Sequence, residues 1–209
     1  MEALGTASVC YNDLHKYLDE SSYTRESTYS TTSPLEILHK IKEDRRFDGL
    51  FEGPDVGKIS WLLENHENLV LEHWNAWTIV DPLKQFRDSQ EAAATLLVRT
   101  VEPGTHAYDF FTCHLLTTSH AVRILIPFIP KRFHVSLVRQ WWLLTILVYV
   151  TQMRPKINED IETPPTKQWN YVEDRAINGP WATDAHYVKG NCLLKSIARF
   201  LTSWQPFEP

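Results

Sequence analysis

Glycine is scarce in this chain, at seven of 209 residues, about half the usual share. That excludes a turn-rich β-architecture, where glycine must supply left-handed positions at many tight connections. Cysteine is scarcer still, and Cys10, Cys113 and Cys192 form neither a close pair nor a Cys-x-x-Cys. Such an odd, scattered set builds no disulfide framework and no zinc framework, and fits reduced thiols in a cytoplasmic protein. No basic stripe is present either: the net charge is -5, so a nucleic-acid partner, which needs phosphate neutralisation, is not expected. The start of the chain, Met1-Glu2, lacks the charged-then-apolar order of a secretory signal. Dinucleotide fingerprint, phosphate loop, Gly-x-Ser-x-Gly elbow and His-Glu-x-x-His are all missing.

Long hydrophobic runs are nearly absent. Val135 to Met153 comes closest, but Arg139, Gln140, Thr145 and Gln152 interrupt it, whereas a membrane span wants ~20 predominantly apolar residues. A buried core helix is the expectation, and a membrane partner is not.

What is present reads as helix after helix. Leu4 to Leu18 is apolar at helical spacing, and a polar connector runs from Ser21 to Thr32. Ser33 is expected to cap a helix with Pro34 at its first position. Ser60 to Trp77 reads as a helix pair with Trp61, Leu62, Leu69, Val70, Trp74 and Trp77 as its apolar set. Alanine, Gln and Glu from Asp88 predict a strong helix that ends before Pro103. Thr105 is the expected cap of the next helix, which carries His106, Asp109 and Cys113 along one stripe and His114 on another face. The Val135 helix follows, then an irregular, proline-rich insert from Arg154 to Pro180. The last helix runs from Asp184 to about Ser203, with Thr183 or Asp184 as cap. The fold class expected is all-α, an irregular helical bundle forming a single domain over residues 1–209.

The run from Gly104 to His120 concentrates three histidines, a carboxylate and a thiol in an apolar setting. His114 and His120 differ by about 120° around a helix axis, so one local three-histidine metal site is not expected. Further ligands would come from elsewhere in the chain. His186 and Lys189, at i and i+3, share a face of the last helix. They read either as a solvated face or as a ligand histidine beside a lysine able to become a carbamate. His66 and His73, seven apart, read as structural, as do His15 and His39. Eight tryptophans supply core, or alternatively walls for a flat aromatic ligand.

Several motifs together resemble the questin-oxidase-like family. They are Asp109-Phe-Phe-Thr-Cys-His114-Leu-Leu-Thr117-Thr118-Ser119, Trp141-Trp142-Leu-Leu, and Gly179-Pro-Trp-Ala-Thr-Asp-Ala-His186-Tyr-Val-Lys189. Leu14-His-Lys-Tyr-Leu, Ser33-Pro-Leu-Glu-Ile-Leu-His and Glu72-His-Trp-Asn-Ala-Trp77 support them. The resemblance implies a largely helical fold and oxygen-dependent ring cleavage or Baeyer-Villiger-type oxidation of an anthraquinone-like aromatic polyketide. It also implies a non-haem iron held by histidines and a carbamylated lysine, here His114, His186 and Lys189. Phe110, Phe111, Trp141, Trp142 and Trp181, on the matching motifs, are the candidate substrate walls. NADPH stays open as a co-substrate without a binding motif of its own. Family members are longer, with additional histidine motifs upstream, so the chain looks like the C-terminal half. The alternative reading is a non-catalytic helical protein that binds an aromatic ligand, or that forms an oligomer or takes a partner chain in place of the N-terminal half.

Overall fold

The computed structural model describes residues 14–101, 108–158 and 168–202. Helices dominate, and among the described residues there is no strand, only a single parallel bridge between Thr31 and Trp77. The helices are α1 (Lys16–Asp19), α2 (Pro34–Glu43), α3 (Ile59–Asn75), α4 (Pro82–Arg99), α5 (Phe110–Leu125), α6 (His134–Thr151), α7 (Trp169–Asn178) and α8 (Ala185–Thr202). The chain packs as two compact units, Met1–Gln85 with Pro130–Arg154, and Phe86–Ile129 with Pro155–Pro209.

The first unit is built on α3 and α6. α6 is the apolar run seen in the sequence, and it is long and apolar enough to cross a membrane by composition alone. Its burial gives another reason for that composition. Val138, Trp142, Leu143, Ile146, Leu147 and Tyr149 are fully buried, and the Thr145 and Thr151 hydroxyls donate to carbonyls one turn back. Trp74 of α3 is completely enclosed: its indole N–H donates to the Arg139 carbonyl at 2.9 Å, and the Arg139 guanidinium lies 3.9 Å from the ring. Burial pushes the Arg139 pKa down to about 10, and Arg139 donates to Asn75 Oδ1. Trp77 and Trp142 pack with ring centroids 5.2 Å apart. Truncating any of these indoles would cost on the order of 3–5 kcal/mol.

Helix starts follow the local chemistry. Ser33 accepts from the Glu36 N–H with Pro34 at the first position, as its sequence predicts. The pair expected over Ser60 to Trp77 is one helix with a kink at His66, where φ is -134° and ψ is 28°. Trp61, placed in its apolar set, is instead substantially exposed. α4 begins at Pro82 rather than Asp88. Asp81 accepts from the Leu83 and Lys84 N–H groups, so an Asp-Pro start outweighs the alanine-rich propensity further on.

In the second unit α8 packs against α5 and α7. Ile197 and Asn191 of α8, Ala176 of α7, and Cys113, Leu115, Leu116 and Ser119 of α5 are buried. Gln90 of α4 donates to the Ser119 hydroxyl at 3.1 Å. The insert expected to be irregular contains α7, where Trp169, Val172 and Ala176 recur at helical spacing and Ala176 is buried as the helix packs on α8. The α5 start also differs from expectation. Asp109 is the cap, accepting from the Thr112 N–H at 2.8 Å, while Thr105 and His106 lie outside the described residues. Asp184 caps α8, its carboxylate accepting from the His186 and Tyr187 N–H groups.

Candidate functional site

The α5 and α8 starts meet in the second unit, and the contact carries the residues singled out in the sequence. Cys113 is fully buried and its thiol donates to the His186 carbonyl at 3.6 Å, tying one turn of α5 to the first turn of α8. Gly190 allows a close approach on the same side, since a Cβ there would stand 3.1 Å from the Tyr108 ring. Tyr108 stacks on Tyr187 at 5.9 Å and donates to Asn191 Oδ1. Burial, helped by the neighbouring Tyr187 and Cys113, pushes the Tyr108 hydroxyl up to about 12.

Around that contact three rings form a cluster. His114 and His186 have centroids 5.5 Å apart, and Phe110 lies 4.4 Å from the first and 4.5 Å from the second. His114 Nδ1 sits 2.7 Å from the Phe110 carbonyl. A carbonyl only accepts, so Nδ1 carries the proton and Nε2 keeps its lone pair. This is how a metal-ligating imidazole is normally oriented. Two imidazoles on one ion at ~2.1 Å per bond place their ring centroids roughly 5 Å apart. The observed separation of 5.5 Å is close to that spacing.

Lys189 stands one turn along α8 from His186, half-buried, and no hydrogen bond or ion pair engages it among the described residues. Its charge reaches the Cys113 thiol. Burial pushes that thiol up, Asp184 and Asp109 add to the rise, and Lys189 opposes them. The described residues thus offer two imidazoles and an amine, and no three His, Cys, Asp or Glu side chains among them converge as a metal-binding group.

A family model described as Questin oxidase-like matches residues 1–191. The chain belongs to the questin oxidase-like family. No curated protein and no solved structure matches it. Membership in a family named for an oxidase points to an oxidoreductase of fungal polyketide chemistry.

Among the candidate substrate walls of this questin oxidase-like chain, Phe110 and Trp181 are 46% and 45% exposed, and Phe111 is half-buried against Phe110. Trp141 and Trp142 belong to the other unit, where both are buried core side chains. An apolar groove of about 290 Å³ lies between α7 and α8, bordered by Trp169, Ile177, Val188 and Cys192.

One cluster escaped sequence reasoning. In the first unit His73 is buried with both ring nitrogens engaged, Nδ1 with the Tyr29 hydroxyl at 2.8 Å and Nε2 with Asp44 at 3.0 Å. Asp44 also accepts a two-pronged contact from Arg46, which reaches on to Glu72. Burial would raise the Asp44 pKa, but the hydrogen bonds from Arg46 and His73 outweigh it and hold the carboxyl well below the usual range. Burial lowers the His73 pKa against the pull of Asp44. His73 therefore rests as a neutral ring donating from Nε2, a structural role consistent with its residue-level reading. Its partners lie 29 and 44 positions away in the chain, so spacing gave no signal for them.

Proposed function

We propose that this protein is an oxidoreductase that oxidises an anthraquinone-like aromatic polyketide with molecular oxygen, by ring cleavage or Baeyer-Villiger-type insertion. The observation carrying this reading is the His114, His186 and Phe110 cluster, with His114 Nε2 freed by the Phe110 carbonyl. His114 and His186 would hold a non-haem iron. Lys189 would complete the set once its amine adds to carbon dioxide, forming an N–C bond, releasing a proton and presenting carbamate oxygens. Iron, when bound, supplies the activation of oxygen.

The chain's own residues supply recognition. Exposed faces of Phe110 and Trp181 offer stacking surface for a flat, electron-rich ring. The proton on His114 Nδ1 stays committed to the backbone, fixing the ring's orientation. NADPH would enter, if used, as a diffusing co-substrate.

The test is metal analysis of protein prepared with iron(II) and bicarbonate, beside oxygen uptake with anthraquinones. Stoichiometric iron that is lost in His114→Ala and in Lys189→Ala, together with substrate-dependent oxygen uptake, is the expected result. Iron content and uptake unchanged by His114→Ala would remove the central residue from this reading.

A further inference from the structure

Arg139 of α6 is half-buried, and no carboxylate answers its charge. The guanidinium lies over the Trp74 ring and donates one bond, from Nη2 to Asn75 Oδ1 at 2.8 Å. A guanidinium carries five N–H donors, so four have no acceptor among the described residues, and no ion pair engages the side chain there. Burial is what moves its pKa down, with no neighbouring acid pulling the other way. A desolvated charge left without a counter-charge is costly, and arginine is rarely buried unless something meets it.

Arg139 borders a cavity of about 310 Å³ within the first unit, whose other walls are Tyr17, Thr24, Ile79, Val135 and Ser136. Ser136 precedes Arg139 by three residues on α6, so the two share a face of that helix, while Thr24 comes from the connector after α1. The Thr24 and Ser136 hydroxyls make no hydrogen bond among the described residues and remain available to a ligand. The Tyr17 hydroxyl, by contrast, is committed to Glu67 at 3.0 Å. No acidic side chain lines the cavity. One cation, two unpartnered hydroxyls and two aliphatic walls therefore converge on it.

We propose that this cavity binds a small organic acid, its carboxylate held by Arg139, Ser136 and Thr24 and its apolar body set against Ile79 and Val135. Guanidinium and carboxylate are matched planar partners, and their charge-assisted bonds are stronger than neutral ones. One arginine balances one carboxylate charge, whereas a phosphate dianion would bring a second charge that no lining residue meets. The volume is near the lower end for ligand pockets, which restricts the ligand to a short branched or single-ring acid. Binding is non-covalent and no reaction is assigned to it. The site shares no residue with the His114 cluster and stands without the oxidase reading.

The experiment is isothermal titration calorimetry of the full chain with isobutyrate and with benzoate at constant ionic strength, beside benzamide as the uncharged analogue and inorganic phosphate as the competing anion. Saturable binding of one carboxylate per chain is expected, with benzamide and phosphate weaker. Arg139→Gln should lower the affinity on the order of 10- to 100-fold, because it removes hydrogen bonds from a charged donor. Ser136→Ala and Thr24→Val should each weaken binding by about fivefold. Arg139 also packs on Trp74, so these two hydroxyl variants, which leave that packing intact, decide the matter if the Arg139 variant loses its helical circular dichroism. Absence of saturable binding by both acids overturns the proposal. So does benzamide or phosphate binding as tightly as benzoate, or carboxylate binding that ignores the Ser136 and Thr24 substitutions.

Discussion

Asp44→Ala should destabilise the protein by about 3 kcal/mol, and the structure says where that comes from. The Asp44 carboxylate is 11% exposed and accepts from the Arg46 guanidinium, the Arg46 backbone N–H and His73 Nε2. The guanidinium is the least of these, because it is 55% exposed and water can replace the lost contact. His73 is the costly one. With its side chain 4% exposed, its Nε2–H would lose its acceptor in a site closed to water, which costs about 1–3 kcal/mol. Asp44 also caps the short 3₁₀ turn Arg45–Phe47 by accepting from the Arg46 N–H, and loss of such a cap costs about 1 kcal/mol. Urea unfolding followed by tryptophan fluorescence measures the loss, and a double-mutant cycle with His73→Ala isolates the pair. A coupling of at least ~1 kcal/mol is expected. Additivity of the two substitutions, or an Asp44→Ala penalty under ~1 kcal/mol, would refute the reasoning. Both groups titrate more acidly in the fold, so the unfolded chain binds protons that the native state declines. Stability from His73 is thus fully present above its ordinary value of 6.5 and falls as pH drops through it. The Asp44 contribution is lost only below its ordinary value of 3.8.

Two further outcomes follow from burial. The Trp142 indole N–H is buried with no acceptor among the described residues, so Trp142→Phe should cost less than Trp74→Phe, which also breaks the bond to the Arg139 carbonyl; unfolding free energies from urea titration should differ by about 1 kcal/mol or more. Cys192 is exposed whereas Cys113 is buried with its pKa raised by that burial, so a thiol reagent on native protein should modify Cys192 quickly and Cys113 only as fast as the fold opens.

Where a residue's behaviour depends on near neighbours, the sequence was enough. Ser33-Pro34 starts a helix because a hydroxyl three residues from an N–H reaches it in any context. The α6 run became core for the reason its composition implied. Competing local signals were harder: Asp81-Pro82 beat the alanines after Asp88, and Asp109 took the cap expected of Thr105. The helix inside the insert was hidden because Pro164, Pro165 and dense charge beside it outweighed three apolar positions in the reading.

By itself, then, the sequence determined the helical class, the family and the residues worth watching, since composition, helical spacing and motif order are properties of the chain. Tertiary structure alone decided that His114 and His186 lie within ring contact while Trp142 serves the core, and that His73 is held between Tyr29 and Asp44. Those pairings join residues from 29 to 72 positions apart, and distance along a chain says nothing about distance in space until packing has chosen which helix faces meet.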